Sequence, residues 1–387
     1  MNDDEKPSVL LLHNRYREPG GEERSVAAIA ALLRSRGHRV ELLERSSAEL
    51  AGVGGVARGA AAMLRGGAKP REVTTAVERF GADIVHVHNV HPLFGARAVT
   101  AAREAGADVV MHLHNYRLFC AIGIGYRDGD DCVRCHERNT MPGLRLRCRG
   151  GFGEAAVYAA GLATQQRQLL ERVERFVAPS RAAAERLVSY GMPDERLDVL
   201  HNFLPESEFA GESAAGEGRY ALFAGRLTEE KGAAMAIEAA RRAGVPLVVA
   251  GSGPELGRLR ELARGADVRF AGRLAPAKLA ELRAGAALAL LPSRWHEPCP
   301  YAAIEAMAAG LPVLVSDKGG LPELAGDEAT LPARDADAWA AAARELWTDP
   351  RRRARLGEAA LERARRLFGP DHFYRGLSAV YRLALLA

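Results

Sequence analysis

Residues 293–313 read SRWHEPCPYAAIEAMAAGLPV, and this stretch predicts a loop, a short helix and a buried strand in succession. The two prolines are typical of a loop that enters a helix at its first turn, because proline lacks the N–H that a helix start leaves unpaired. The glycine before LPV is typical of a helix end. Glu297 therefore lies on the loop and Glu305 in the second helical turn, with seven residues between them.

Short apolar runs alternate with helical stretches on both sides of this segment. The runs are rich in Val, Leu, Ile and Ala and end at turn residues, as strands buried on both faces of a parallel sheet do. Strands that alternate with helices predict doubly wound α/β architecture. The predicted strands are 8–13, 40–43, 84–87, 109–112, 176–178, 197–200, 220–224, 247–250, 268–271, 287–291 and 313–315.

One segment interrupts this alternation. Residues 205–218, PESEFAGESAAGEG, are small and polar without apolar periodicity, which is typical of a linker between domains. We therefore predict a first Rossmann-like domain at 1–204 and a second at 219–370. Residues 371–387 read as an amphipathic helix that packs back on the first domain.

Composition excludes several classes of protein. Hydrophobic residues make up 48%, and 53 basic residues are nearly balanced by 49 acidic ones, which argues against a nucleic-acid partner. The acidic N-terminus lacks the pattern of a signal peptide, and no apolar run is long enough to cross a membrane, so we expect a cytoplasmic protein. The arginine-rich stretch at 351–355 is a solvated helix face or a peripheral contact with the inner face of an anionic membrane.

Gly20 and Gly21 follow the first predicted strand and precede a helix. Glycines at this place let the backbone approach a ligand, and the free N–H groups of the helix start favour an anion. The alternative is a simple strand-to-helix turn, since the full G-x-G-x-x-G pattern is absent.

Two strands end in histidines, at His86 with His88 and at His112 with His114. Strand alternation places each pair on one face of the sheet, and the carboxyl ends of parallel strands are where α/β proteins bind ligands. The pattern also resembles metal ligands, but no carboxylate partner is evident, so we favour a ligand site over a metal centre.

The segment 223–232, FAGRLTEEKG, places cations at the end of another predicted strand. Gly225 provides the turn, Arg226 offers a planar fork for phosphate oxygens, and Lys231 offers a mobile charge. Further along, the helix that begins after Pro300 directs backbone N–H groups of Tyr301 and Ala302 toward an anion.

These motifs together resemble the family-four retaining glycosyltransferases of GT-B fold, over nearly the whole chain. The resemblance rests on E-x7-E, on FAGRLTEEKG and on the opening LLLHNRYREPGGEERS. It implies two Rossmann-like domains that face each other across a cleft, the second binding a nucleoside-diphosphate sugar. The implied site residues are Gly20, Gly21, His114, Gly225, Arg226, Lys231, Gly251, Gly253, Arg273, Leu274, Glu297, Pro300, Tyr301, Ala302 and Glu305.

The resemblance also implies residue roles and a reaction. Arg226 and Lys231 would hold the diphosphate, Glu305 the ribose and Glu297 the donor sugar, while His114 would lie near the reaction centre. The sugar passes to an acceptor hydroxyl of a lipid-linked saccharide, a polysaccharide or a small natural product, with retention of configuration. We expect no catalytic metal. The alternatives are a GT-B sugar-nucleotide epimerase or phosphorylase and a non-catalytic nucleotide-sugar-binding protein; a dinucleotide-dependent oxidoreductase is disfavoured.

Four cysteines cluster in an insertion at about 118–150 of the first domain. Cys132 and Cys135 form a C-x2-C pair, flanked at distance by Cys120 and Cys148. Two close thiols and two distant ones favour a tetrahedral structural zinc, which would order this polar, turn-rich segment. Free thiols and disulfides are the alternatives.

Overall fold

The structure, a computed structural model, describes residues 6–17 and 20–387. It divides into two compact units. The first contains the residues up to Gly125 together with Cys132–Leu200 and Phe373–Ala387. The second contains Tyr126–Asp131 and His201–His372.

The first unit is built on a parallel six-stranded sheet in the order β2-β1-β3-β4-β7-β8. Its strands contain the apolar runs predicted from the sequence, and the short hairpin β5-β6 is counted with the second unit. The strands to residue 200 are β1 (Val9–Arg15), β2 (Val40–Ser46), β3 (Ile84–Val87), β4 (Asp108–His112), β5 (Tyr126–Arg127), β6 (Asp130–Asp131), β7 (Arg175–Ala178) and β8 (Leu197–Val199).

Helices connect these strands, as parallel pairing requires. They are α1 (Gly21–Ser35), α2 (Gly52–Arg65), α3 (Pro70–Phe80), α4 (Gly95–Glu104), α5 (Met141–Arg145), α6 (Phe152–Arg172) and α7 (Arg181–Ser189).

The second unit repeats this architecture with a parallel sheet in the order β11-β10-β9-β12-β13-β14. Its strands are β9 (Ala221–Ala224), β10 (Leu247–Ala250), β11 (Val268–Gly272), β12 (Leu288–Leu291), β13 (Val313–Ser316) and β14 (Thr330–Leu331). The helices are α8 (Ala233–Ala243), α9 (Leu256–Leu262), α10 (Pro276–Ala284), α11 (Tyr301–Ala308), α12 (Leu321–Ala325), α13 (Ala336–Thr348), α14 (Pro350–Phe368) and α15 (Pro370–Leu385). The predicted doubly wound α/β fold is thereby confirmed.

Residues 205–218 do not behave as the predicted linker. They pack within the second unit, where Ala215 is fully buried and the Arg353 guanidinium donates hydrogen bonds to the carbonyls of Ala215 and Gly216 at 3.0 and 2.9 Å. A buried arginine can order small polar residues through their backbone, and such contacts leave no apolar periodicity in the sequence.

The end of the chain returns to the first unit. From Phe373 onward α15 is counted with that unit, and it buries Phe373, Leu377 and Tyr381. The Tyr381 hydroxyl lies 2.8 Å from His86 Nδ1. Among the described residues, no helix combines the length and the apolar character that crossing a membrane would require.

Candidate functional site

The carboxyl edge of the second sheet gathers most of the predicted donor residues. β9 lies between β10 and β12. The chain adds β10 and β11 on one side of β9 and then crosses to add β12, β13 and β14 on the other side. Ligands of open α/β sheets bind where the strand order reverses in this way. Arg226 and Lys231 follow β9, and the loop with Glu297 follows β12.

A buried carboxylate lies at the centre of this edge. Glu297 is 3% exposed, and its Oε1 accepts hydrogen bonds from Lys231 Nζ at 2.5 Å and from Ser293 Oγ at 2.7 Å. The Lys231 ammonium also lies 5.3 Å from the ring centre of Trp295. These contacts fix the positions of the Glu297 carboxylate and the Lys231 ammonium, as binding of a polar ligand in a defined orientation requires. The sequence analysis did not predict that Ser293 and Trp295 belong to the site, although both lie within the segment 293–313.

Two glycines allow the loops around Glu297 to approach closely. Gly232 has a φ of 73°, and a Cβ there would lie 1.8 Å from the Pro292 carbonyl oxygen. Gly319 has a φ of 59°, and its Cβ would lie 2.3 Å from the Glu297 carbonyl oxygen. Side chains at these positions would push the loop that carries Glu297 away from its neighbours.

The predicted glycines Gly251 and Gly253 have a similar packing role. Their Cβ atoms would lie 1.8 Å from the Gly225 carbonyl oxygen and 2.3 Å from that of Leu227. They therefore hold the loop after β10 against the loop after β9. Contact of these glycines with a nucleoside stays a prediction.

Glu305 lies on α11 and forms an ion pair with Arg283 of α10. Both side chains are largely buried, at 12% and 11% exposure. Arg283 holds the predicted ribose-binding carboxylate in place, and sequence reasoning missed it because helical spacing does not show which helices meet. α11 itself begins at Tyr301 after Pro300, as predicted, and Ala302 lies in its first turn.

The remaining donor residues are more open. Arg226 is 65% exposed at its side chain, and its Nη2 lies 3.7 Å from Glu230 Oε1. Among the described residues, it makes no hydrogen bond to the Lys231–Glu297 pair. Arg273 is exposed and Leu274 half-buried in the segment that follows β11.

In the first unit, Gly20 is the N-cap of α1, which begins at Gly21. The Glu23 carboxylate accepts hydrogen bonds from the backbone N–H of Gly20 at 2.7 Å and of Tyr16 at 2.8 Å. Burial would raise the pKa of Glu23, but the nearby His13 ring, whose Nε2 lies 3.7 Å from Oε1, and the hydrogen bonds from these backbone groups outweigh burial and lower it to about 2. The glycine turn is thus closed by a charged carboxylate. The proline at 19, part of the quoted motif, lies outside the described residues.

The four histidines predicted at two strand ends come together on the first sheet. His88 Nδ1 lies 2.9 Å from His114 Nε2, and the rings of His112 and His114 stack with centroids 4.6 Å apart. Burial lowers the pKa of His114 well below its usual range, so the ring is neutral at physiological pH. The half-buried His114 lines a small pocket of the first unit, together with Glu22, His88, Asn89, Asn115 and Arg117.

The four insertion cysteines are free thiols of intermediate burial. Burial, together with the nearby thiols of the other three, raises the pKa of Cys135 to about 11. Cys299 is buried apart from them, and its carbonyl accepts a hydrogen bond from Asn202 at 2.8 Å.

Comparison with known proteins supplies the family. The model of the family described as "Glycosyltransferase Family 4" matches residues 19–208, and that of "Glycosyl transferases group 1" matches residues 206–363. The two matches follow one another along the chain and correspond closely to its two sheets.

Individual relatives agree with these matches. The chain is 28% identical to the D-inositol 3-phosphate glycosyltransferase of Gordonia bronchialis over 324 residues, which cover 75% of this chain and 69% of that protein. It is 38% identical to the glycogen synthase of Mycobacterium tuberculosis over 154 residues, and the match spans only 37% of that protein and 37% of this chain.

A solved structure shows the same fold. Anabaena HepE, crystallised in complex with UDP-glucose, superposes with a TM-score of 0.66 at 17% identity, covering 97% of this chain and 100% of that chain. The architecture is therefore of the GT-B type, and the chain belongs to glycosyltransferase family 4.

Proposed function

We propose that this protein is a retaining glycosyltransferase that moves a sugar from a nucleoside-diphosphate sugar to an acceptor hydroxyl. The observation that carries the proposal is the buried Lys231–Glu297 pair at the point where the strand order of the second sheet reverses. The complex of HepE with UDP-glucose supports a donor of this class, and the D-inositol 3-phosphate glycosyltransferase among the relatives supports glycosyl transfer.

Donor binding follows from charge. The Lys231 ammonium and the exposed Arg226 guanidinium neutralise the diphosphate, and the N-terminus of α11 adds its dipole. Glu305, oriented by Arg283, accepts hydrogen bonds from the ribose hydroxyls. Glu297 accepts hydrogen bonds from hydroxyls of the donor sugar.

The reaction breaks the bond between the anomeric carbon and the diphosphate oxygen, which leaves with the electron pair. A new bond forms between that carbon and the acceptor oxygen on the same face of the sugar, so configuration is retained. The acceptor proton passes to the departing phosphate oxygen. Lys231 and Arg226 stabilise the negative charge as it develops, which is the largest contribution a site of this kind makes. His114, neutral and supported by His88, acts on the acceptor side as a hydrogen-bonding group.

A donor and acceptor screen tests the proposal. Nucleotide sugars are first ranked by thermal shift, since a ligand that binds the folded state raises the melting temperature. The best donors are then incubated with hydroxyl acceptors, and the anomeric configuration of the product is determined by NMR. We expect transfer with retention and the same rate in chelator as in magnesium or manganese. An inverted product, turnover that requires magnesium or manganese, an epimerised donor, or binding without turnover would contradict the proposal.

We also propose, independently, a structural zinc held by Cys120, Cys132, Cys135 and Cys148, which the C-x2-C spacing of Cys132 and Cys135 and the absence of a disulfide among the described cysteines support. Metal analysis of protein purified without chelator should find zinc bound by sulfur, and Cys132→Ser should lose this sulfur-bound zinc and have a lower melting temperature, because structural zinc contributes folding free energy. Cys299→Ser, which alters a distant buried thiol, is the matched control and should retain the metal. A zinc content below about a tenth of an equivalent would contradict the proposal of a structural zinc on these cysteines.

A further inference from the structure

Several imidazole nitrogens in the first unit are buried without a partner. His86 Nε2, His88 Nε2 and both ring nitrogens of His112 have no hydrogen-bond partner among the described residues. The three side chains are at most 6% exposed. Buried polar atoms in folded proteins are nearly always satisfied, so exceptions grouped at one place point to an ion or ordered water there.

The three rings occupy adjacent positions on one face of the sheet. β3 pairs with β4 in parallel, His86 and His88 are two residues apart on β3, and His112 ends β4. One donor nitrogen from each of the three rings lies within 4.8 Å of the others. The sheet register itself therefore assembles three neutral nitrogen donors at one point.

The other ring nitrogens of two of these histidines are already held. His86 Nδ1 lies 2.8 Å from the Tyr381 hydroxyl, and His88 Nδ1 lies 2.9 Å from His114 Nε2. This leaves Nε2 of both rings available. Histidines that bind a metal through one nitrogen characteristically have the other fixed by a hydrogen bond, which sets the tautomer and the ring orientation.

We propose that His86, His88 and His112 hold one first-row transition-metal ion, with Zn²⁺ as the expected occupant. Three imidazoles without a carboxylate suit zinc, copper or nickel and do not suit magnesium or calcium. A bound zinc would draw the three nitrogens together to a bond length of about 2.0–2.1 Å. This differs from the sequence-based expectation, which favoured a ligand site because no carboxylate partner was evident.

The ion in this site is structural. Tyr381 of α15 contacts His86, and the ring of Phe373, also on α15, stacks on His112 with centroids 6.3 Å apart, so the site is covered by the last helix. A negative charge lies one ring away, because the Glu23 carboxylate approaches His13, whose ring lies 6.4 Å from that of His88.

Occupancy also sets the state of His114. A metal on His88 Nε2 requires the proton on its Nδ1, which then donates to His114 Nε2. His114 is left with its proton on Nδ1. The metal thus selects one tautomer of the histidine that the proposed function places on the acceptor side, although metal binding itself does not depend on that function.

The test uses the full chain with a tag that contains no histidine. Metal content is measured after loading with zinc chloride and desalting, in a Cys132→Ser/Cys135→Ser background that removes two of the four proposed thiol ligands and so disrupts the cysteine site. We expect about one equivalent of zinc. Extended X-ray absorption fine structure should show a shell of nitrogen atoms about 2.0–2.1 Å from the zinc. His112→Leu should lose this equivalent. The matched control is His91→Leu, which removes a buried histidine whose Nε2 is likewise unpartnered but lies outside the trio.

If the cysteine variants do not fold, His112→Leu in the otherwise unchanged chain decides the question. It should lose the nitrogen shell and keep any sulfur shell near 2.3 Å. A nitrogen shell that persists in His112→Leu, a sulfur shell only in the parent chain, or no retained metal in folded protein would overturn the proposal. Glycosyl transfer is measured separately, so a failure of metal binding remains distinct from a failure of the proposed function.

Discussion

Lys231→Met should lower kcat/KM for the nucleotide sugar by about 10²–10³-fold, the size of effect expected when one group that stabilises developing charge is removed. The loss should appear in kcat as well as in KM, because the ammonium acts most strongly on the charge of the departing diphosphate. Steady-state kinetics with the preferred donor measure both parameters.

The same substitution should also destabilise the second unit. Glu297 would remain buried with only the Ser293 hydroxyl as a partner in place of the ammonium, and an unpaired buried carboxylate is costly, by about 3–5 kcal/mol for a fully buried pair. Lys231→Met combined with Glu297→Gln should recover most of the melting temperature and none of the activity. That split separates a role in binding and catalysis from a merely structural one.

Lys278→Ala is the matched control for this prediction. Lys278 pairs with Glu281 three residues along an exposed helix surface, and such pairs contribute about 0–1 kcal/mol. Its activity and melting temperature should stay close to those of the parent. If Lys231→Met kept the kcat and KM of the parent, Lys231 would have no role in binding the donor.

Gly232→Ala should be strongly damaging for a change of a single methyl group. The added Cβ would lie 1.8 Å from the Pro292 carbonyl oxygen, so backbone must move. Lys231 precedes this glycine and Ser293 follows that carbonyl, and the displacement therefore separates the partners of Glu297. A misplacement of about 1 Å can cost roughly 100-fold in rate, and we expect at least that loss of kcat/KM with a lower melting temperature.

Gly244→Ala is the control, because it shares the backbone strain without the collision. Gly244 has a φ of 69°, close to the 73° of Gly232, and a Cβ there would meet nothing within 4 Å. It should cost about 1–2 kcal/mol for the left-handed conformation and leave kcat unchanged. Equal activities for the two variants would show that the approach of the two loops is unimportant for the reaction.

The fold could be predicted because its signals are local. The buried strands are continuous runs of Val, Leu, Ile and Ala, and the loop–helix–strand order around α11 follows from prolines and a glycine at fixed places. The short strands β5, β6 and β14 were not predicted, since two residues carry no periodicity. The second unit already begins its long segment at His201, before the predicted boundary at 204, because the small polar residues that follow carry no apolar periodicity.

The candidate site was predictable only in part. Glu297 and Lys231 stand in recognisable motifs, and the structure brings them into contact. Ser293 and Arg283 act through partners that only the folded chain brings near, so their residue types say nothing by themselves. The convergence of His86, His88 and His112 depends on the register between two strands, which the sequence does not state.

The return of α15 to the first unit has a consequence for synthesis. The histidine face of the first sheet is covered by residues that are translated well after that sheet, from Phe373 onward. At about 5–20 residues per second, the chain after Leu200 takes roughly 10–40 s to make. For that interval the nascent N-terminal half exposes imidazoles and apolar side chains, and holding chaperones would find their binding surface there.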